Sequence, residues 1–161
     1  MGRNNLSEVG QAEELIRSFI QFGCAEIHAK GLYEKATAAL ENGLVDVEDN
    51  EVLQKQLDKC EQYRQDIDTY ANLRRNAMRI LFQMFDGDRD EWCIVKHLGI
   101  GAMQMFEVYQ ASDNDAELLN LAYEANTAFI GAISRFLGME IESCASCLSD
   151  ALRSETNGQI V

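Results

Sequence analysis

The chain of 161 residues contains no proline. A β-rich or loop-rich chain of this length normally carries several prolines at turns and sheet edges, whereas helix interiors exclude the residue, which lacks an N–H and clashes with the preceding turn. Its absence points to an all-α protein. Basic residues are also scarce, with 14 Lys and Arg against 27 Asp and Glu and a formal charge of -13 with both histidines neutral. Nucleic-acid binding rests on neutralising phosphates with Lys and Arg, so direct nucleic-acid binding is not expected, and neither is docking on an anionic membrane surface. No apolar run approaches the roughly 18 residues of a membrane span, and residues 1–10 lack the basic-then-apolar pattern of a signal peptide. Together these absences predict a cytoplasmic protein. Five cysteines cannot all pair within one chain, and a chain of this size can bury a core without covalent staples, so reduced thiols are expected.

What is present fits one soluble domain spanning residues 1–161, at 47% hydrophobic and 25% charged. Apolar residues recur at three- and four-residue spacing rather than in alternation. The pattern predicts a four- to five-helix antiparallel bundle with one long central helix. The first helix opens after Ser7, buries Leu15, Ile16, Phe19, Ile20, Ile27 and Tyr33, and stops near Asn42-Gly43, a helix-ending pair. The second runs from Asn50 to Phe85 with the stripe Leu53, Leu57, Cys60, Tyr63, Ile67, Tyr70, Leu73, Ala77, Leu81 and Met84. Unbroken, it would be about 54 Å long, more than a compact domain of this size needs, so it either kinks or projects toward a partner.

Asp86-Gly87-Asp88 punctuates the chain before a third helix marked by Trp92, Val95, Leu98, Ala102, Met105, Phe106 and Tyr109. A fourth, capped by Ser112 or Asp113, follows through Leu118, Leu119, Ala122, Phe129, Ile133 and Phe136 to Leu137, with Gly138 as a left-handed cap. A short fifth helix is expected over Ser143 to Leu152, and residues 154–161 read as a frayed tail.

Both histidines have a cysteine four residues upstream, Cys24 before His28 and Cys93 before His97, and residues four apart share a helix face. Cys144 and Cys147 lie at the spacing found in zinc sites, so Cys93, His97, Cys144 and Cys147 could form a Cys3His zinc site joining two helices. The plainer account is that cysteine acts as a small buried hydrophobe and no cofactor is needed. Asp86, Asp88 and Asp90 mimic the first ligands of a calcium loop, but Glu91 stands where glycine is required and His97 where the bidentate glutamate belongs. No Glu-x-x-His pair supports a di-iron site.

Charge is unevenly distributed. Residues 44–73 hold eight acids against three bases, while residues 74–85 hold Arg74, Arg75 and Arg79 with no acid. These three arginines could hold an anion or an acidic partner segment by forked hydrogen bonds, or could pair internally with acids of a neighbouring helix. No convergent catalytic set emerges from the residues, so the expectation is a non-enzymatic acidic helical protein that acts by protein–protein interaction, as a regulator or adaptor, or by self-association. In a two-fold dimer the acidic half of one long helix would meet the basic end of the other. The alternatives are an acidic inhibitor that mimics nucleic acid to occupy a DNA- or RNA-binding protein, and a zinc-stabilised helical domain.

Overall fold

A computed structural model of the chain describes residues 6–84 and 90–138. Over them it is a bundle of four α-helices with no strand: α1 (Leu6–Glu41), α2 (Asn50–Met84), α3 (Asp90–Ala111) and α4 (Ala116–Leu137). The expected fifth helix, the tail and the Asp86-Gly87-Asp88 punctuation lie outside the described residues. Two helices are long rather than one, since α1 has 36 residues and α2 has 35, against 22 each in α3 and α4. At 1.5 Å per residue the long pair spans about 50–54 Å and the short pair about 33 Å. Among the described residues, no helix is long and apolar enough to cross a membrane.

Local chemistry fixes where these helices start and stop. At the end of α1, Gly43 takes φ 70°, Leu44 N–H donates to the Ala39 carbonyl at 2.9 Å, and Gly43 N–H donates to Leu40 at 3.4 Å. This is a Schellman closure, which satisfies the carbonyls left over at a helix end and needs a residue at ease in the left-handed region. The Asp49 carboxylate then accepts from Glu51 N–H and Val52 N–H at 3.0 and 3.3 Å, capping α2. The cap of α4 is Asp115, not Ser112 or Asp113: its Oδ1 accepts from Glu117 N–H and Leu118 N–H at 2.9 and 3.1 Å. The chain needs the extra residues to turn through Asn114, at φ 57°, a conformation asparagine tolerates. Gly138 closes α4 in the left-handed region, as its position suggests.

The helices form two antiparallel hairpins, α1–α2 and α3–α4, that share one core. Ala12, Ile16, Phe19, Ile20 and Ile27 of α1 meet Met78 and Leu81 of α2, Trp92, Val95 and Phe106 of α3, and Phe129 and Ile133 of α4. Phe19 meets Phe129 edge to face at 6.1 Å, and Trp92 lies against Phe136 at 5.1 Å, both favourable ring geometries. Contact between α2 and α3 is sparser and depends on Gly99, over whose bare backbone the Phe82 and Phe129 rings close.

On α2 the buried set is Cys60, Ala71, Arg74, Ala77, Met78 and Leu81, whereas Leu57 and Leu73 of the expected stripe are exposed. The inward face over the bundle is thus Ala71, Arg74, Ala77, Met78 and Leu81, which keeps Ala77 and Leu81 of the stripe read by hydrophobicity but takes Arg74 in place of Leu73. An arginine occupies its centre.

Hydrogen bonds place the α3–α4 turn beside the C-terminal third of α1: Lys30 Nζ donates to the Ser112 carbonyl at 3.5 Å, and Asn114 Nδ2 donates to the Glu34 carboxylate at 3.2 and 3.3 Å. Beyond this level α1 continues from Lys35 to Glu41 and α2 returns from Asn50, joined by Gln56 Nε2 donating to the Ala36 carbonyl at 3.0 Å. The α1–α2 hairpin therefore stands about 10 Å of helix, plus its loop, past the end of the shorter pair.

Candidate functional site

Three features stand out once the fold is assembled, and the first is inside it. Arg74 is 0% exposed. Its Nε donates to Glu26 Oε2 of α1 at 2.9 Å, its Nη2 lies 3.5 Å from Glu107 Oε1 of α3, and its guanidinium sits 4.5 Å over the Phe106 ring. Nη1 and Nη2 make no hydrogen bond. Glu26 is itself buried. Burial pushes its carboxyl above the ordinary glutamate value, and the charge and hydrogen bond of Arg74 bring it part of the way back. One turn on, Lys30 packs over the Tyr109 ring at 4.9 Å and lies 4.0 Å from Glu34. Asn126 of α4 is also buried, with no hydrogen bond to either side-chain polar atom.

A desolvated ion pair is expensive, and such a pair is weak evidence for stability but a strong constraint on register, because only one alignment of the helices brings the partners together. The Glu26–Arg74–Glu107 arrangement thus acts as a clamp across α1, α2 and α3. The sequence pattern carried a signal for it: Glu26 falls one heptad after Phe19 and one before Tyr33, on the inward side of α1.

The second feature is a groove between α2 and α3 of about 290 Å³, apolar through Phe82, Ile100 and Met103 and polar through Arg75, Arg79, Gln104 and Glu107. Arg75 Nε donates to Glu107 Oε1, and this hydrogen bond holds the guanidinium above its ordinary pKa. Arg79 donates to Asn76 Oδ1 at 2.6 Å. The three arginines grouped by sequence therefore separate. Arg74 turns inward, as the internal-pairing alternative has it, while Arg75 and Arg79 stay on the surface.

The third feature is the far end of the α1–α2 hairpin. Leu44 is 78% exposed and Val47 53%, and Val52 and Leu57 are also open. Acids surround them: Glu41, Asp46, Glu48, Asp49, Glu51 and Asp58 lie on the same stretch, with Lys55 and Lys59 as its bases.

For the zinc reading, Cys93 is half-buried on α3 and His97 is exposed one turn later, while Cys144 and Cys147 lie outside the described residues. Among the described residues, no three His, Cys, Asp or Glu side chains come together in a group that could hold a metal ion. Of the other pair, Cys24 packs against the core and His28 is exposed.

Comparison with known proteins adds no family to this geometry: no protein-family model, no curated protein and no solved structure matches the chain.

Proposed function

We propose that the protein works without catalysis, as an acidic helical module that binds another protein through the projecting end of its α1–α2 hairpin. The observation that carries this reading is the exposure of Leu44, Val47, Val52 and Leu57 on a part of the bundle that α3 and α4 do not reach. Single exposed apolar side chains are ordinary, but several gathered on one projecting element favour an interface. The acids around them favour a partner whose surface is apolar at the centre and basic at the rim, since complementary charge speeds encounter and fixes orientation.

A dimer built by laying the acidic half of one long helix on the basic end of another has less support. Arg74 is spent inside the protomer and Arg75 is engaged by Glu107, which leaves Arg79 alone for that pairing. A nucleic-acid mimic needs the acids but gives no role to the apolar residues at the tip.

The test places a photo-crosslinking amino acid at position 44, at position 47 and, as control, at Leu121, which is exposed on α4. Irradiation in cells that make the protein should give one adduct with the same second protein from positions 44 and 47 and none from 121. The adduct should persist in high salt and disappear when Val52→Asp is added. Adducts only with a second copy of the chain, equal adducts from position 121, or adducts abolished by moderate salt would each overturn the reading.

A further inference from the structure

Arg79 stands out in a chain with 27 acids and 14 bases, because no carboxylate among the described residues lies within ion-pair distance of it and its one hydrogen bond is to Asn76, a neutral neighbour on its own helix. It borders the α2–α3 groove, beside the apolar surface of Phe82, Ile100 and Met103. The other charges of the groove, Arg75 and Glu107, satisfy each other, so among the described residues Arg79 is the positive charge of the groove with no carboxylate paired to it. The acids that open α3, Asp90 and Glu91, precede Met103 by more than three turns, about 18 Å along the helix.

The groove has a reason to be there. Gly99 lets the Phe82 ring rest on the α3 backbone, so the two helices meet closely at that level, whereas one to two turns on, the facing side chains are Arg75 and Arg79 against Met103 and Glu107, and space remains between them. At about 290 Å³ the space is at the small end for a ligand pocket.

We infer that the α2–α3 groove is a small-molecule site for a carboxylate with an apolar body, the carboxylate taken by Arg79 and the body laid against Phe82, Ile100 and Met103. A guanidinium offers two parallel N–H donors that match a carboxylate, and an apolar wall beside it favours a ligand with a tail over a bare ion. Asn76 orients the guanidinium without neutralising it.

The test uses octanoate as probe, with octanamide as its uncharged analogue and acetate as its tail-less one, titrated into the isotopically labelled protein and followed by amide and methyl NMR shifts. Octanoate should bind saturably, with Kd on the order of 1 mM or tighter for a ligand of this size, and its shifts should centre on Phe82, Ile100 and Met103. Octanamide and acetate should each bind at least about tenfold more weakly, and Arg79→Gln should weaken octanoate by a similar factor with Arg79→Lys in between. Because Arg79 is exposed, these variants should melt with the parent, which separates lost binding from lost fold. Equal affinity for octanoate and octanamide, unchanged binding by Arg79→Gln, shifts spread over the molecule, or acetate binding as well as octanoate would each overturn the inference. None of these results depends on the hairpin, so this site and the protein-binding reading stand or fall separately.

Discussion

Replacing Arg74 by methionine should be among the most damaging single substitutions in the bundle. The side chain is fully buried and bonded to Glu26 at 2.9 Å, so its loss leaves a carboxyl with 3% exposure facing an apolar interior. Breaking a buried pair by removing one partner costs about 3–5 kcal/mol. At about 2–4 °C per kcal/mol for a chain of this size, Tm should fall by about 6–20 °C. Replacing both partners, Glu26→Met with Arg74→Met, removes the stranded charge and should recover most of that loss, since apolar replacement of a whole buried pair is often neutral or stabilising. Urea unfolding followed by circular dichroism on the parent, both single variants and the double variant gives the coupling directly. A loss below about 1 kcal/mol for Arg74→Met, or a double variant no more stable than that single one, would refute the clamp.

The same pair predicts a pH dependence of definite sign. Burial holds the Glu26 carboxyl above its unfolded value, so the folded state binds this proton more tightly than the unfolded chain. Its contribution is fully present below the ordinary glutamate range and is lost as pH rises through the elevated folded value. The stability of the parent minus that of Glu26→Gln should therefore shrink from acid toward neutral pH, and a difference that grows instead would contradict the assignment. Gly99→Ala should destabilise by about 1–3 kcal/mol, because the new Cβ would lie 2.8 Å from the Phe82 ring and 2.9 Å from that of Phe129; thermal melts check this. Asp115→Ala should cost about 0.5–2 kcal/mol by uncapping α4, whereas Asp113→Ala should stay within about 0.5 kcal/mol. Val52→Ser with Leu57→Ser should leave Tm unchanged and remove the hairpin adduct formed from position 44 or 47, because both side chains are open to solvent.

Much of the fold was legible in the chain because helix formation is decided locally. The lack of proline and the 3.6-residue spacing mark the chain as helical, and the Asn42-Gly43 and Gly138 stops set two helix ends close to where the structure has them. The inward residues of α3 and α4 were readable for the same reason, since Trp92, Val95, Phe106, Leu119, Phe129 and Ile133 are all buried and all apolar. On α2 the same reasoning failed at a specific place. Leu73 looks like core and is open, and Arg74 looks like surface and is fully buried.

That failure separates the two sources of information. Composition and periodicity determine that this chain is helical and where its helices end, because backbone hydrogen bonds, caps and apolar spacing act over a few residues. That Arg74 rather than Leu73 turns inward on α2 is settled only when α1 and α3 supply Glu26, Phe106 and Glu107 around one guanidinium, a contact across 48 residues of sequence with Glu26. The projection of the hairpin is equally tertiary: α1 and α2 are each long, but only the packing of the α3–α4 turn beside Lys30 and Glu34 determines which end stands free. Among the described residues Arg79 is left without a carboxylate for the same reason, because burial and pairing sort the three arginines of this stretch by the neighbours each one meets and not by their own chemistry.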